Sequence, residues 1–465
     1  MSQKKQKNYE MDMCNGPILP NMIKFALGVL GTAVLQQLFN TADLLVVGQF
    51  GHDGALASVS ATASLINLFI NLFIGLSVGA GIVVAKHYGA KNYEEASNCL
   101  HTAVAISVIA GIVLAIIVWF VSPPMLRAMD TPTENGVLDG AIIYMRIYFL
   151  GMPFMLLYNF SASILRAVGD SRRTFFYIIQ AGIINVILNL FFVIVLDMNV
   201  AGVALATAIS QLYCSMRCIH CFLNYDGCLK LFPKKIRIYK HALISIAKLG
   251  IPSGIQSSLF SISNVLIQSS VNSFGALAME GSGAASNIES YLYFASNSIS
   301  NTVTNFTSQN YGASKPDRIK KTGLIGIILS VSVCAAIGLI GLVFSDTLLG
   351  FYTDDPTALM FGKKRMLIIC LSQSICSLME ITTGLLRGIF KPVPAMVSSI
   401  AGVCVFRIVW IETVFSLYHD FTVLYLSYPI SWLLSFIVQG ILFLIYFRKY
   451  KISLGFYNDR QLQEA

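Results

Sequence analysis

Charge is what this sequence has least of. Asp, Glu, Lys and Arg make up 12% of its 465 residues, against about 25% in a soluble domain. With 55% hydrophobic residues and a mean hydropathy of +0.70, that scarcity excludes a soluble domain and points to a polytopic membrane protein. A cleavage pattern is missing as well. The polar start MSQKKQKNYEMDMCNG runs straight into a long apolar span, so no removable signal peptide is expected. The ten cysteines lie mostly within apolar segments and lack the paired loop spacing of a secreted scaffold, which leaves reduced, buried thiols. Cys214, Cys218, Cys221 and Cys228 with His220 suggest zinc only superficially, because no second CxxC follows; no metal site is expected. Neither HExxH, GxSxG nor a paired Asp motif lies at membrane depth, so an enzyme is not expected.

The net charge of +9 does not indicate nucleic acid, because Lys and Arg sit in alternate loops, as membrane orientation requires. Twelve apolar segments of spanning length can be drawn, near 21–48, 55–84, 98–121, 138–163, 174–196, 200–223, 243–272, 278–306, 321–345, 364–386, 394–416 and 422–447. Basic connections include Lys4, Lys5 and Lys7, Lys86 with Lys91, Arg166 to Arg173, Lys230 to Lys240, Lys315 to Lys321, Arg387 with Lys391, and Arg448 to Lys451. The alternate connections are short or acidic, which predicts both termini on the cytoplasmic side of the plasma (inner) membrane. One cluster, Lys363-Lys364-Arg365, falls on the wrong side of this scheme.

The second half of the chain resembles the first. FGHDGALASVSA (50–61) answers to FGALAMEGSGAA (274–285), KHYGAKNYEEAS (86–97) to QNYGASKPDRIK (309–320), and ILRAVGD (164–170) to LLRGIFK (385–391), at offsets of 221 to 224 residues. Six segments separate equivalents, so both halves enter the membrane in the same direction, a parallel repeat that transporters use to place a site between halves. The expected organisation is an all-α polytopic membrane protein of two six-helix lobes, 21–223 and 243–447, around a central cleft. A cytoplasmic N-terminal tail (1–20), a basic linker (224–242) and a cytoplasmic C-terminal tail (448–465) complete it.

Polar residues recur at helical spacing in three segments: Ser60, Ser64, Asn67 and Asn71; Ser253, Ser257, Ser261, Asn264, Gln268 and Asn272; and Glu289, Tyr293, Asn297, Asn301 and Asn305. Such stripes either face water or make interhelical hydrogen bonds, and three of them in equivalent segments favour a hydrated cleft. Gly75, Gly79 and Gly81 have GxxxG-like spacing and predict close helix packing, not a phosphate loop.

One carboxylate stands inside the first apolar segment, in LQQLFNTADLLVVGQFG. A charge there costs about 2.5 kcal/mol or more unless paired, protonated or ion-bound, which makes Asp43 the leading site candidate. By helical rise Asp43 lies about 8 Å below the outer end of its segment, and Asn189 and Thr207 each about 10 Å below the ends of theirs. Asn185 shares the face of Asn189 one turn below. Together they would form a hard-oxygen cage for a small monovalent cation or a proton held on Asp43.

The Asp-VGQFG helix, the YGA turns, the LRAVGD and LRGIFK loops and the NVILN run together resemble the multidrug and toxic compound extrusion (MATE) transporters, over about Pro17 to Arg448. The resemblance implies two six-helix lobes and efflux of organic cations or amphipathic toxins driven by inward Na⁺ or H⁺, with no other cofactor. It also implies a cation site at Asp43, Asn185, Asn189 and Thr207. Where some members carry a second carboxylate this chain has Asn189, and the Glu that others carry in the seventh segment is absent here. The RIVWI run at Arg407 and the YPISW run at Tyr428 look like a bacterial branch. Cleft or substrate contacts are expected from Gln36, Asn40, Asn67, Asn71, Gln256, Asn264, Gln268, Glu289, Asn297, Asn301, Glu380 and Arg407.

Arg407 lies near the midplane and needs an anionic partner or a wet cavity, with Glu289 or Glu380 as the expected partner. Glu412, at i+5, faces elsewhere. The leading expectation is a monomeric, cation-coupled exporter of a small molecule, working in the bilayer by alternating access of its lobes. The alternative is a flippase or exporter of a lipid-linked or amphipathic metabolite on the same architecture, disfavoured by stripes of neutral amides and hydroxyls.

Overall fold

A computed structural model describes residues 9–464; the basic residues Lys4, Lys5 and Lys7 used above for orientation lie outside them. Among the described residues the chain is helical, with no strand. The first half contains α1 (Ile18–Phe50), α2 (Ala55–Gly89), α3 (Tyr93–Ala128), α4 (Val137–Leu150), α5 (Met152–Ala167), α6 (Ser171–Leu190) and α7 (Asn199–Leu223). The second contains α8 (Lys240–Asn272), α9 (Ala276–Gly312), α10 (Pro316–Val343), α11 (Ser345–Gly350), α12 (Pro356–Gly388), α13 (Pro392–Ser399), α14 (Phe406–Trp410) and α15 (Phe421–Glu464). Widened π turns follow α6 (Phe191–Val195), α13 (Ile400–Val405) and α14 (Ile411–Phe415).

Helix starts follow local chemistry. Asn92, Asp170 and Asp355 cap α3, α6 and α12 by accepting from backbone N–H groups, and proline stands in the first turn of α10, α12 and α13. The repeated sequence motifs fold alike. The YGA turns end α2 and α9 with Lys91 (φ 57°) and Ser314 (φ 55°) in the left-handed region, and the LRAVGD and LRGIFK loops do the same at Gly169 (φ 92°) and Phe390 (φ 64°).

By length and composition eight of the described helices can cross a membrane, or nine if Glu134–Leu150 and Met152–Ala167, bent by 48° at Gly151, form one broken span. The expected twelve segments all fall on helices, but α7, α8 and α9 are too polar to pass that test. The reason is visible in α9, where Ser298, Thr302 and Ser308 are buried and each donates to the carbonyl four residues back. Hydroxyls satisfied within their own helix can be buried at little cost, so part of the polar stripe there is packing.

Packing divides the chain into two units. One contains the segment ending at Asp12 together with Gly31–Gly254, and the other Met13–Leu30 together with the chain from Ile255. The division thus runs through α1 and α8, where the lobe limits drawn from hydropathy kept each helix whole. In the first unit α2, α3, α4, α5 and α7 enclose a core that includes Val47, Tyr144, Phe149 and Val203. In the second, α12 packs against α9, α10 and α15 around Ile267, Met379, Leu424 and Tyr425.

The glycine spacing on α2 serves a close crossing with the first part of α8. A Cβ on Gly75 would stand 2.1 Å from the Gly254 nitrogen, and one on Gly79 2.5 Å from the Gly250 nitrogen. Backbone cannot yield as a side-chain tip can. Gly75→Ala is therefore expected to lower stability by about 1–3 kcal/mol, read as a fall in melting temperature of the detergent-solubilised protein. Gly283→Ala, where a Cβ meets nothing within 4 Å, is the control and should not lower it.

Candidate functional site

Asp43 lies on α1, 9% exposed, one turn before the core residues Val46 and Val47. Phe39, one turn earlier, lays its ring where a Cβ on Gly182 would be, 1.7 Å from the Phe39 Cζ, so the bare glycine lets α1 approach α6. That approach brings Asp43 to the next turn of α6, which carries Asn185 and Asn189 at i, i+4 on one buried face. The π turn begins two residues later, and α7 then returns with Thr207.

Asn189 Nδ2 donates to Asp43 Oδ1, and Thr207 Oγ1 donates to Asp43 Oδ2 at 3.2 Å. Asn189 Nδ2 also reaches Asn185 Oδ1 (3.3 Å), and Asn185 Nδ2 donates to Thr207 Oγ1 (3.4 Å). The four residues form one closed cluster. Among the described residues no Lys or Arg pairs with Asp43, and the buried Oδ1 of Asn189 has no hydrogen-bond partner. An orphaned amide oxygen beside a carboxylate and a hydroxyl is a donor set that fits a small hard cation or a proton. Tyr144 and Tyr148 of α4 lie within electrostatic range of Asp43. Nothing in the sequence singled them out, because they lie about 100 residues further along the chain.

Other candidates in this unit do not join the cluster. Gln36 is half-buried, Asn40 and Asn67 are exposed, and Asn71 is half-buried on α2.

The charges of the second unit are arranged differently from the expectation. Arg407 does not pair with Glu289 or Glu380. Its guanidinium carbon stands 3.8 Å from the Tyr428 ring centroid and 5.8 Å from that of Trp432, and its Nε donates to Ser431 Oγ at 3.1 Å. Glu289 pairs instead with Arg365 (Nη2 to Oε2 2.8 Å), whose Nη1 also donates to Ser282 Oγ and the Tyr425 hydroxyl. Shared depth allowed several pairings, and the direction each side chain takes around its helix chose among them. Arg365 is 9% exposed, so the apparent exception to the orientation rule is partly a buried residue inside α12. The signal was present: Arg365, Ile369, Ser372 and Cys376 share one buried helical face.

Glu380 is buried and within electrostatic range of Arg387, without a hydrogen bond or ion pair to it. Arg387 Nη2 donates to Gln256 Oε1 (2.7 Å), and Gln256 in turn donates to Ser399, which places Gln256 in a packed network. Asn301 donates to Asn297 Oδ1 (2.8 Å), and both are half-buried. Asn264 and Gln268 are exposed, Gln268 donating to Asn272. These candidates form separate pairs, not one site.

The family model MatE matches the chain twice, over residues 29–191 and 252–411, one match in each half. The chain belongs to the MatE family. The probable multidrug resistance protein YoeA of Bacillus subtilis (strain 168) is 28% identical over 378 residues, covering 79% of this chain and 81% of that protein. The probable multidrug resistance protein NorM of Thermotoga maritima is 25% identical over 392 residues, 82% of each chain. The outward-facing structure of a multidrug resistance MATE family transporter of the MOP superfamily shares the fold, with a TM-score of 0.88 at 19% identity over 97% of this chain and 100% of that one. This MatE protein is thus a multi-pass membrane protein of a multidrug transporter family, and the doubled match carries the internal repeat read from its sequence.

Proposed function

We propose that this MatE protein is a secondary active exporter of amphipathic organic cations, driven by inward movement of a monovalent cation that Asp43 carries. The observation behind this reading is the company Asp43 keeps: two amides, one hydroxyl and, among the described residues, no paired positive charge. A carboxylate in that setting lowers its energy by taking up a cation and raises it on release, which is what a coupling group must do. One formal charge with neutral oxygens suits a proton better than Na⁺, which gains from a fuller and more anionic oxygen shell. Export also requires that substrate and ion disfavour each other's binding. Competition for Asp43, directly or through bending of α1, supplies that coupling as the two halves alternate access. The reading takes the protein as a monomer of the plasma membrane with both termini in the cytoplasm, consistent with the basic loops.

The test is uptake of a fluorescent organic cation into inside-out vesicles with pH and Na⁺ gradients imposed separately. The expected result is uptake driven by the pH gradient and abolished by a protonophore. Uptake driven only by Na⁺ would change the ion, and uptake indifferent to both gradients would overturn the mechanism.

A further inference from the structure

The internal repeat gives Asn185 and Thr207 of the Asp43 cluster counterparts in the second half, and the pattern of burial fixes the register. Along α6 and the helix that begins with α13, buried Ser171, Thr174 and Ile178 answer to Pro392, Ala395 and Ser399, 221 residues on. The π turn Ile400–Val405 then intervenes, and a π turn holds one residue more than an α turn. Beyond it the offset is 222, with Asn185 answering to Arg407 and Val193 to Phe415, all four buried. On α7 and α15 buried Ala206, Ser210 and Cys214 answer to Ser427, Ser431 and Ser435 at 221 throughout, which sets Thr207 opposite Tyr428. The contacts correspond too. Asn185 touches Thr207, and Arg407 lies on Tyr428.

The polarity is reversed. The helix that answers to α1 is α8, and it contains no Asp or Glu. Where the first half has a carboxylate among neutral oxygens, the second has a guanidinium, 3% exposed, among an aromatic face, an indole and a serine. Among the described residues no carboxylate pairs with it. Glu289 is held by Arg365, Glu380 lies within electrostatic range of Arg387 and makes no ion pair with Arg407, and Glu412 is exposed. Tyr428 offers a ring face and Ser431 accepts from Nε, yet both terminal amino groups of Arg407 lack a hydrogen-bond partner among the described residues. Unlike Nε of Arg387, neither is sealed from water-sized space. A largely buried guanidinium whose planar fork is still open on one side is built to receive an oxyanion.

We infer that Arg407, backed by Tyr428 and Ser431, is an anion-accepting subsite that takes the carboxylate of a zwitterionic amphipathic substrate. The inference rests on the reading of the chain as an exporter and narrows its substrates to molecules that pair an organic cation with a carboxylate. Arg407 sets specificity, while ion coupling stays with Asp43.

Two rhodamine dyes test it: one zwitterionic, with a free carboxylate, the other its ethyl ester, which keeps the same delocalised cation. Binding to the purified protein is followed by fluorescence polarisation, and transport by uptake into inside-out vesicles. Wild type should bind the acid roughly tenfold or more tighter than the ester, the span of a charge-assisted hydrogen-bonded pair. Arg407→Gln should erase that preference, weakening the acid roughly tenfold or more and the ester distinctly less. Arg407→Lys, a point charge without the fork, should keep part of it. Equal affinities for the two dyes in wild type, or an equal loss for both in Arg407→Gln, would overturn the subsite. Export of neither dye by wild type would instead count against the exporter reading itself.

Discussion

Asp43→Asn is expected to abolish ion-driven export while the protein still folds, inserts and binds its organic substrate. The substitution keeps the shape of the side chain and the oxygen to which Asn189 or Thr207 donates, so the contacts of α1 with α6 and α7 persist. What it removes is the one formal charge in the cluster. If the driving ion is carried there, gradient-dependent transport should fall roughly hundredfold or more, equivalent to about 2.7 kcal/mol of lost differential binding. Thr207→Val removes a single neutral donor at 3.2 Å and should cost far less, roughly three- to tenfold in apparent ion affinity. Proteoliposomes with imposed gradients give the rates, and size-exclusion profiles with melting temperatures exclude misfolding. Gradient-driven transport by Asp43→Asn at the wild-type rate would remove Asp43 from the mechanism.

That cluster was expected before the structure because helical depth and the resemblance to the MATE transporters named the same four positions. A carboxylate in hydrocarbon is expensive wherever it occurs, and helical rise sets the depth of Asn189 and Thr207 without any knowledge of the fold. Depth alone did not say which helices touch. That depends on features such as the bare face of Gly182 under Phe39, whose effect appears only when two distant segments are packed together. The second half shows the limit of depth as a guide. Arg407 and two glutamates occupy compatible levels, yet Arg407 turns to Tyr428 and Ser431, because rotation about the helix axis decides partners and rise along it does not.

Orientation statistics failed for a related reason at Lys363-Lys364-Arg365. Three adjacent cations read as a loop signal, but successive helix positions point about 100° apart. Lys363 reaches Asp346 in the open, while Arg365 turns inward. The polar stripe of α9 misled in the opposite direction, since Ser298, Thr302 and Ser308 hide their hydroxyls on their own backbone.

Glu289→Gln carries the largest expected loss of stability. Glu289 receives Nε and Nη2 of Arg365, whose Nη1 is spread between Ser282 (2.8 Å) and the Tyr425 hydroxyl (3.1 Å), and Ser282 and Tyr425 bond each other at 2.6 Å. The ring joins α9, α12 and α15 inside the second unit. Neutralising one member leaves a buried guanidinium without its counter-charge, at a cost of about 3–5 kcal/mol. The double substitution Glu289→Leu with Arg365→Met removes both charges and should recover most of that loss, because a desolvated pair adds little over apolar packing of similar volume. Lys363→Ala, one helical turn's edge away on the same helix, breaks only an exposed pair with Asp346 and should cost at most about 0.5 kcal/mol. Melting temperatures of the four proteins in one detergent make the comparison. The same variants decide what the pair is for. A structural clamp predicts that gradient-dependent export per folded molecule is unchanged in the double variant. A wild-type melting temperature in Glu289→Gln, together with an altered dependence on the driving ion, would instead make Glu289 a second coupling group and end the assignment of coupling to Asp43 alone.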